Sequence, residues 1–448
     1  MDGVVGFTQH PILPGANFTY EFDIAEDQAG SFWYHAHNQV QRADGLFGGL
    51  IVHRPSIAGS PLDPQKYEYD EERLLLIGDW YHRSANEVLA WYMRAASFGN
   101  EPVPDSLLIN GLGAYNCSKA VRARPVECVQ HQGTAVPNLH FDRSKRYRLR
   151  LVNTGTLAGF TISITDAMLR VIEVDGGNPV SSSIATAPSV GILHPGQRTD
   201  VILSWPPDAA GESKLTITLD GEDFKYPNPA LTRTQHFPIS PTTNTTTPPA
   251  GAPNDQKPTS PPPPPQIDLS TLTSASPLIP PLPPTTTHTL LLYANTLKLS
   301  HRANAPHGYM NQTSWSPQAT PPGLLTTLPR AQWDSNQLVP HLPFSHWVTI
   351  ILNNLDDGAH PFHLHGHAVR VVRTRAALWN PWGGGGGDEG FELGRAVRRD
   401  TVVVPRRGHV VLRFEAGNAG VWMLHCHNLW HQASGMAMGI EVGGGGED

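Results

Sequence analysis

The chain has 448 residues, 42 of them glycine and 42 proline, with a formal charge of −7. At about 100 to 200 residues per domain this length accommodates two to four domains with substantial cores, and the glycine and proline content favours a loop-rich β protein. The acidic balance leaves no basic footprint for nucleic acid or an anionic membrane, and no run of about 20 apolar residues exists to span a bilayer.

Residues 1–54 read as a first unit ending in the strand-like GLFGGLIVH at 45–53. A second unit, 70–235, opens with the apolar LLLIG at 74–78, has a predicted helix over 86–97, and continues through YRLRLVN at 147–153 and the alternating LRVIEV at 169–174. From 236 to 287 the composition, with TTNTTTPPAGAP and SPPPPPQ, cannot bury a core and predicts an exposed, partly polyproline linker. A third unit, 288–442, carries the β-branched segments HWVTIILNN, HAVRVV, TVVVP and HVVLRF, with a flexible GGGGGD loop at 383–388 and a solvated GGGGED tail. Four sequons, at Asn17, Asn116, Asn244 and Asn311, allow N-glycosylation.

The chemistry concentrates in VWMLHCHNLWHQASGM at 421–436. On a strand, side chains alternate between faces, so His425 and His427 point one way and Cys426 the other. With His431 and the thioether of Met436, Cys426 lacks only one imidazole to make a His2Cys blue-copper centre with a weak axial methionine. HPFHLHGH at 360–367 provides it. His363 and His365 share a face while His360 lies at odd offset, which assigns His360 to the cysteine and sends His363 and His365 to the side of His425 and His427. His35 and His37, in FWYHAH, add two more imidazoles to that second site. Zinc is the chemical rival, but a structural zinc site commonly uses several thiolates on Cys-x-x-Cys hooks, and the three cysteines here form none. With Cys426 on metal, Cys117 and Cys128 remain, close enough in sequence for a disulfide in an oxidising compartment.

These motifs resemble the multicopper oxidases, whose patterns include an HxH after Trp-Tyr, HPxHLHGH and HCHxxxHxxxxM. The similarity extends through MDGVVGFTQHPILPG, LLLIGDWYH, LLING, VIEVDG and GILHPGQRTDVIL. The resemblance implies an all-β architecture of tandem cupredoxin-like Greek-key β-sandwich domains, the first incomplete, with a trinuclear cluster between the first and third. It implies that His360, Cys426, His431 and Met436 bind type 1 copper, that His363 binds type 2, and that His35, His37, His365, His425 and His427 bind the binuclear type 3 pair. A complete member holds four coppers, oxidises its reductant at type 1 and reduces O2 to water at the cluster. Asp2 matches a family aspartate near the cluster, and Cys426 links the two centres.

Departures shape the remaining expectations. An HWHG-like motif lies upstream in the family, so the chain carries eight of ten histidine ligands. Met1 is then an internal methionine with the motif and a leader upstream, or the polypeptide lacks its first strands, leaves sheet edges open and is a single-site blue copper protein. His10 reads as a loop residue. Leu429 stands where many relatives place an acid, which puts one proton path in doubt. For substrate, TISITDAM offers no ferroxidase glutamate, Asp356 reads as a solvated loop residue, and no acid lies near Leu157. The expected reductant is therefore a small aromatic, a phenol, with O2 as acceptor, as in a fungal pigment-type laccase; a ferroxidase is the alternative. A secreted monomer is expected.

Overall fold

The structure, a computed structural model, describes residues 2–25, 28–56, 59, 61–122, 126–128, 139–207, 213–239, 265–277, 281–376 and 393–443. Its described residues form strands in five sheets. The first unit pairs Gly30–His35 with Phe47–Val52 in an antiparallel hairpin. Ahead of it, Phe18, Tyr20, Phe22 and Ile24 alternate with polar residues and are 44–55% exposed, so this stripe faces solvent and not a core.

The middle unit is a sandwich of a seven-stranded and a five-stranded sheet. Phe160–Ile164 and Ser213–Leu219 alternate buried and half-buried residues, as strands with one covered face do. Tyr147–Asn153 is buried throughout. Leu149 and Leu151 point into the apolar core, where each side chain contributes roughly 1.5–3 kcal/mol. Arg148 and Arg150, on the other parity, meet Asp200, and Arg150 Nη1 donates to Ser31 Oγ of the first unit at 3.0 Å. That strand is therefore the joint between units, which explains cations at buried positions. The helix predicted over 86–97 stops earlier: Ala85–Tyr92 is capped by Ser84 and Glu87 in a capping box, and Ala95–Ser97 is a separate 3-10 turn.

The last unit stacks a six-stranded on a five-stranded sheet. In the latter, Gly420–Cys426 lies between Ala437–Val442 and His360–Leu364, and His360–Leu364 pairs in turn with Thr401–Val404. Residues 240–264 of the predicted linker, its proline run, the 383–388 glycine loop and most of the tail lie outside the described residues. Residues 265–277 differ from the exposed linker expected. Gln266–Asp268 adds a parallel strand to Ser189–Leu193, and Ile267, Leu269 and Leu272 are buried in the middle core because their apolar side chains fit its open edge.

Candidate metal centres

Cys426 ends the Gly420–Cys426 strand, and His360 begins the neighbouring one. Beyond Cys426, Asn428 caps the short helix Leu429–Ala433, which carries His431 back over the cysteine. Met436 closes this excursion: its N–H donates to the His431 carbonyl at 2.9 Å, and the Cys426 N–H donates to the Met436 carbonyl at 3.0 Å. The result is a compact donor set. Cys426 Sγ is 3.7 Å from Nδ1 of both His360 and His431, and those nitrogens are 3.1 Å apart. A metal about 2.0 Å from nitrogen and about 2.3 Å from sulfur needs donors roughly 3.5–3.7 Å apart in a trigonal arrangement; both sulfur–nitrogen separations match, and the two nitrogens need only spread by a few tenths of an ångström for the three residues to hold one ion. A thiolate, two imidazoles and a nearby methionine are a copper set. Burial opposes the thiolate, yet the two imidazoles outweigh it and bring the Cys426 thiol down to about 7.

Both imidazoles turn their outer nitrogens to carboxylates. His360 Nε2 donates to Asp356 Oδ2 and His431 Nε2 to Glu101 Oε1, each at 3.1 Å. Burial opposes the charged imidazole, but Asp356 and Cys426 prevail and push His360 up to about 9. Asp223 lies close by; burial, then the charge of Glu101, push its carboxyl up to about 6. Asp356 is thus no solvated loop residue. It sits one turn before His360, with a side chain 21% exposed, and holds that ligand's ring. Leu157 packs in an apolar cluster with Trp430, and its N–H donates to the buried carboxylate of Asp79 at 3.1 Å. The carboxylate on the His431 side comes instead from Glu101, which sequence reasoning missed; nothing local marks it except the stiff Pro102-Val-Pro104 that follows.

On the opposite face, six imidazoles gather between the hairpin of the first unit and the last unit. His425 Nε2 is 3.1 Å from His365 Nε2 and 3.4 Å from His37 Nε2, one complete three-imidazole set. His35 and His427 meet edge to face at 5.4 Å between ring centroids, and His363 lies 5.9 Å from His427 and 4.8 Å from His365. Four rings are fixed through Nδ1, which donates to the Ala36 carbonyl from His35, to Asp400 from His363, to Asp2 from His365 and to the Cys426 carbonyl from His425. Such bonds leave Nε2 for a metal. Burial first, then neighbouring positive charge, hold His35, His425 and His427 well below the ordinary histidine range and bring His37 down to about 3, so the rings are neutral ligands.

Asp2 reaches this cluster. Its Oδ1 lies 2.7 Å from His365 Nδ1, while Oδ2 is buried with no hydrogen-bond partner among the described residues. Burial works to raise its pKa, but His365 and its neighbours hold it below the ordinary value. Arg42 was not foreseen. Fully buried, it donates to His427 Nδ1 at 2.7 Å and to the His427 carbonyl at 2.9 Å. Leu429 is buried in the apolar cluster with Trp430, and His10 is exposed. Away from both centres, Cys117 and Cys128 form a disulfide.

Comparison with known proteins agrees with this geometry. Three models of multicopper oxidase domains match residues 1–57, 71–213 and 296–445. An iron transport multicopper oxidase of Epichloe festucae is 30% identical over 97% of this chain, which spans 64% of that relative's length. Laccase-1 of Cryptococcus neoformans var. grubii is 30% identical, over 97% of this chain and 68% of the relative. The structure of a laccase from Botrytis aclada superposes with a TM-score of 0.71 at 27% identity, over 98% of this chain and 74% of that one. The chain belongs to the multicopper oxidases, a family whose cofactor is copper and whose cupredoxin-like β domains it shares.

Proposed function

We propose that this chain is an oxidase that takes electrons singly from a reductant at the Cys426 centre and delivers them to O2 at the histidine cluster, and that the reductant is Fe(II). His360, Cys426, His431 and Met436 are assigned as the type 1 copper ligands, His363 as type 2, and His35, His37, His365, His425 and His427 as type 3. Copper bound there supplies the one-electron redox chemistry. Cys426 is joined by peptide bonds to His425 and His427, so one short stretch of backbone connects entry and exit.

The single observation behind the Fe(II) reading is the pair of carboxylates, Glu101 and Asp356, each 3.1 Å from the outer nitrogen of a type 1 histidine. Hard oxygen donors suit a divalent cation, and each carboxylate is hydrogen-bonded to an imidazole that would hold the copper to be reduced. Converting O2 to water also consumes four protons with four electrons; Asp2, which accepts from His365 through Oδ1 and whose Oδ2 has no partner among the described residues, is placed to relay protons inward as a carboxylate. The Epichloe relative, named for iron transport, agrees with this substrate. A small aromatic reductant is the second reading, because a half-buried carboxylate also accepts a phenolic O–H and the Cryptococcus relative is named a laccase.

The Cys117–Cys128 disulfide supports an extracytoplasmic location, and no helix among the described residues is long and apolar enough to cross a membrane. Oxygen uptake with Fe(II) and with a simple methoxyphenol tests the proposal. A kcat/KM for Fe(II) at least tenfold above that for the phenol is expected. Phenol turnover with Fe(II) consumption no faster than uncatalysed autoxidation would overturn it.

A further inference from the structure

The middle unit supplies none of the residues assigned as copper ligands, yet one of its turns touches the cluster's ligand strands from three directions. Residues 194–198 join Ser189–Leu193 of one middle sheet to Arg198–Ser204 of the other. At the tip, Gly196 has a φ of +85°, and a Cβ there would lie 2.6 Å from the His427 ring, so the backbone itself packs against that imidazole. Gln197 Nε2 donates to the Thr401 carbonyl at 3.2 Å. Arg198 grips Asp400 with both terminal nitrogens, each at 2.6 Å, and its Nε donates to the Ser31 carbonyl in the Gly30–His35 strand at 3.2 Å.

These contacts converge on His363. Its Nδ1 donates to the Asp400 carbonyl at 3.0 Å and lies 3.1 Å from Thr401 Oγ1, whose hydroxyl donates to Asp400 Oδ1 at 2.8 Å. The chain of bonds runs from the Arg198 fork through the Asp400 carboxylate and the Thr401 hydroxyl to the imidazole. A bidentate guanidinium fixes a carboxylate in plane as well as in place, and lysine cannot reproduce that geometry. The same guanidinium holds the strand that leads to His35 and His37. One side chain of the middle unit therefore locates imidazoles delivered by the two others.

We propose that the 194–198 turn is the positioning element of the oxygen-side centre and that Arg198 is its central positioning residue, fixing the ring orientation and tautomer of His363 and docking the His35 strand. This rests on the assignment of His363, His35 and His427 as copper ligands. Outer partners of ligating histidines are worth about 10- to 100-fold in metal affinity, which sets the size of the effect.

The test uses Arg198→Lys, which keeps the charge and loses the fork, and the pair Arg198→Met with Asp400→Leu, which removes both charges of the fork and leaves Asp175 paired with Arg399. The metal-free full chain is titrated with Cu(I) against a competing chelator, and the thiolate absorption of Cys426 after oxidation serves as an internal measure of folding. The 15N imidazole spectrum of the metal-free protein reports the His363 tautomer. Expected in both variants are a 10- to 100-fold weaker copper affinity at the histidine cluster, an unchanged Cys426 band, and a His363 signal that moves from one tautomer to a mixture. Unchanged cluster affinity with an unchanged His363 signal would overturn the proposal. So would parallel loss of the Cys426 band and the cluster copper, which reports general disruption. Wild-type protein that takes copper only at Cys426 would refute the ligand assignment instead, and the His363 spectrum would then decide the positioning role by itself.

Discussion

Replacing Glu101 by Gln and Asp356 by Asn, singly and together, separates the two reductants. Both side chains are largely withdrawn from solvent, 15% and 21% exposed, and each accepts a hydrogen bond at 3.1 Å from an imidazole of the Cys426 centre. A contact from a carboxylate to a bound cation is worth at least the roughly 1.5–3 kcal/mol of a hydrogen bond involving a charged group, and the limited exposure keeps most of that from being screened away. At about 1.4 kcal/mol per factor of ten, either substitution should raise the KM for Fe(II) on the order of 10- to 100-fold, and the double variant should exceed either alone. A phenol, which needs one acceptor and no negative charge, should lose about tenfold at most. Removing an anion beside a ligand imidazole also raises the potential of the centre, so phenol kcat should hold or rise. The assay is steady-state oxygen uptake with each reductant, beside a potentiometric titration of the Cys426 absorption band. Equal losses for Fe(II) and phenol would refute the reasoning, because they would place the carboxylates in support of the ligands and outside the substrate site.

Met436→Leu is close to volume-conserving at a fully buried position and should cost less than about 1.5 kcal/mol in stability, while loss of the axial thioether raises the type 1 potential; a redox titration showing no change would remove Met436 from the ligand set. Asp2→Asn should slow reoxidation by O2 by about 100-fold, the lower range for a positioned general acid, and leave reduction of the Cys426 centre by substrate unchanged in stopped flow. Arg148→Met removes one of two cations from each of Asp63, Glu173 and Asp200, which keep Arg54 or Arg150, and should cost roughly 3 kcal/mol near pH 7, the lower end for a broken buried pair. The pH dependence has a definite sign. Burial raises Glu173 even in the wild type, so its contribution is present at low pH and lost as pH rises through the raised value. For Asp63, burial is outweighed by Arg54 and Arg148, and its contribution is lost as pH falls through the lowered value. The gap between wild type and variant should therefore narrow on acidification from about pH 7 to about pH 5, as read from urea unfolding midpoints; a gap that widens contradicts it.

What the sequence revealed was what strand periodicity controls. Parity sorted His360 with Cys426 and His363 with His425 because the two segments are adjacent antiparallel strands, with Phe362 opposite Cys426 and His363 opposite His425. His35 and His37 were placed by the same rule, although the strand itself ends at His35. What failed were contacts between units that no motif marks. Glu101 meets His431 across 330 residues, and Arg42 meets His427 across 385; no local pattern encodes such meetings. Asp356 was misread because a loop acid four residues before a histidine looks solvated until the turn between them is seen to close. The 265–277 segment was misread because its neighbouring prolines dominate the composition, while Ile267 and Leu269 carry the burial.

The two centres hold their protons in opposite ways, and the cause lies in what the middle unit and the hairpin bring to each. At the Cys426 centre, Asp356 and Cys426 favour the imidazolium form of His360, and Cys426 and Glu101 that of His431, strongly enough to override burial. At the cluster, Arg42 and the crowd of imidazoles add to burial, and the rings of His35, His425 and His427 are neutral. A metal entering the first centre must displace protons from both imidazoles and compete for the thiolate, whereas at the second His35 and His425 donate through Nδ1 and leave Nε2 open. The carboxylates beside the Cys426 centre thus make its metal uptake proton-dependent, whereas burial holds His35, His425 and His427 on the opposite face neutral.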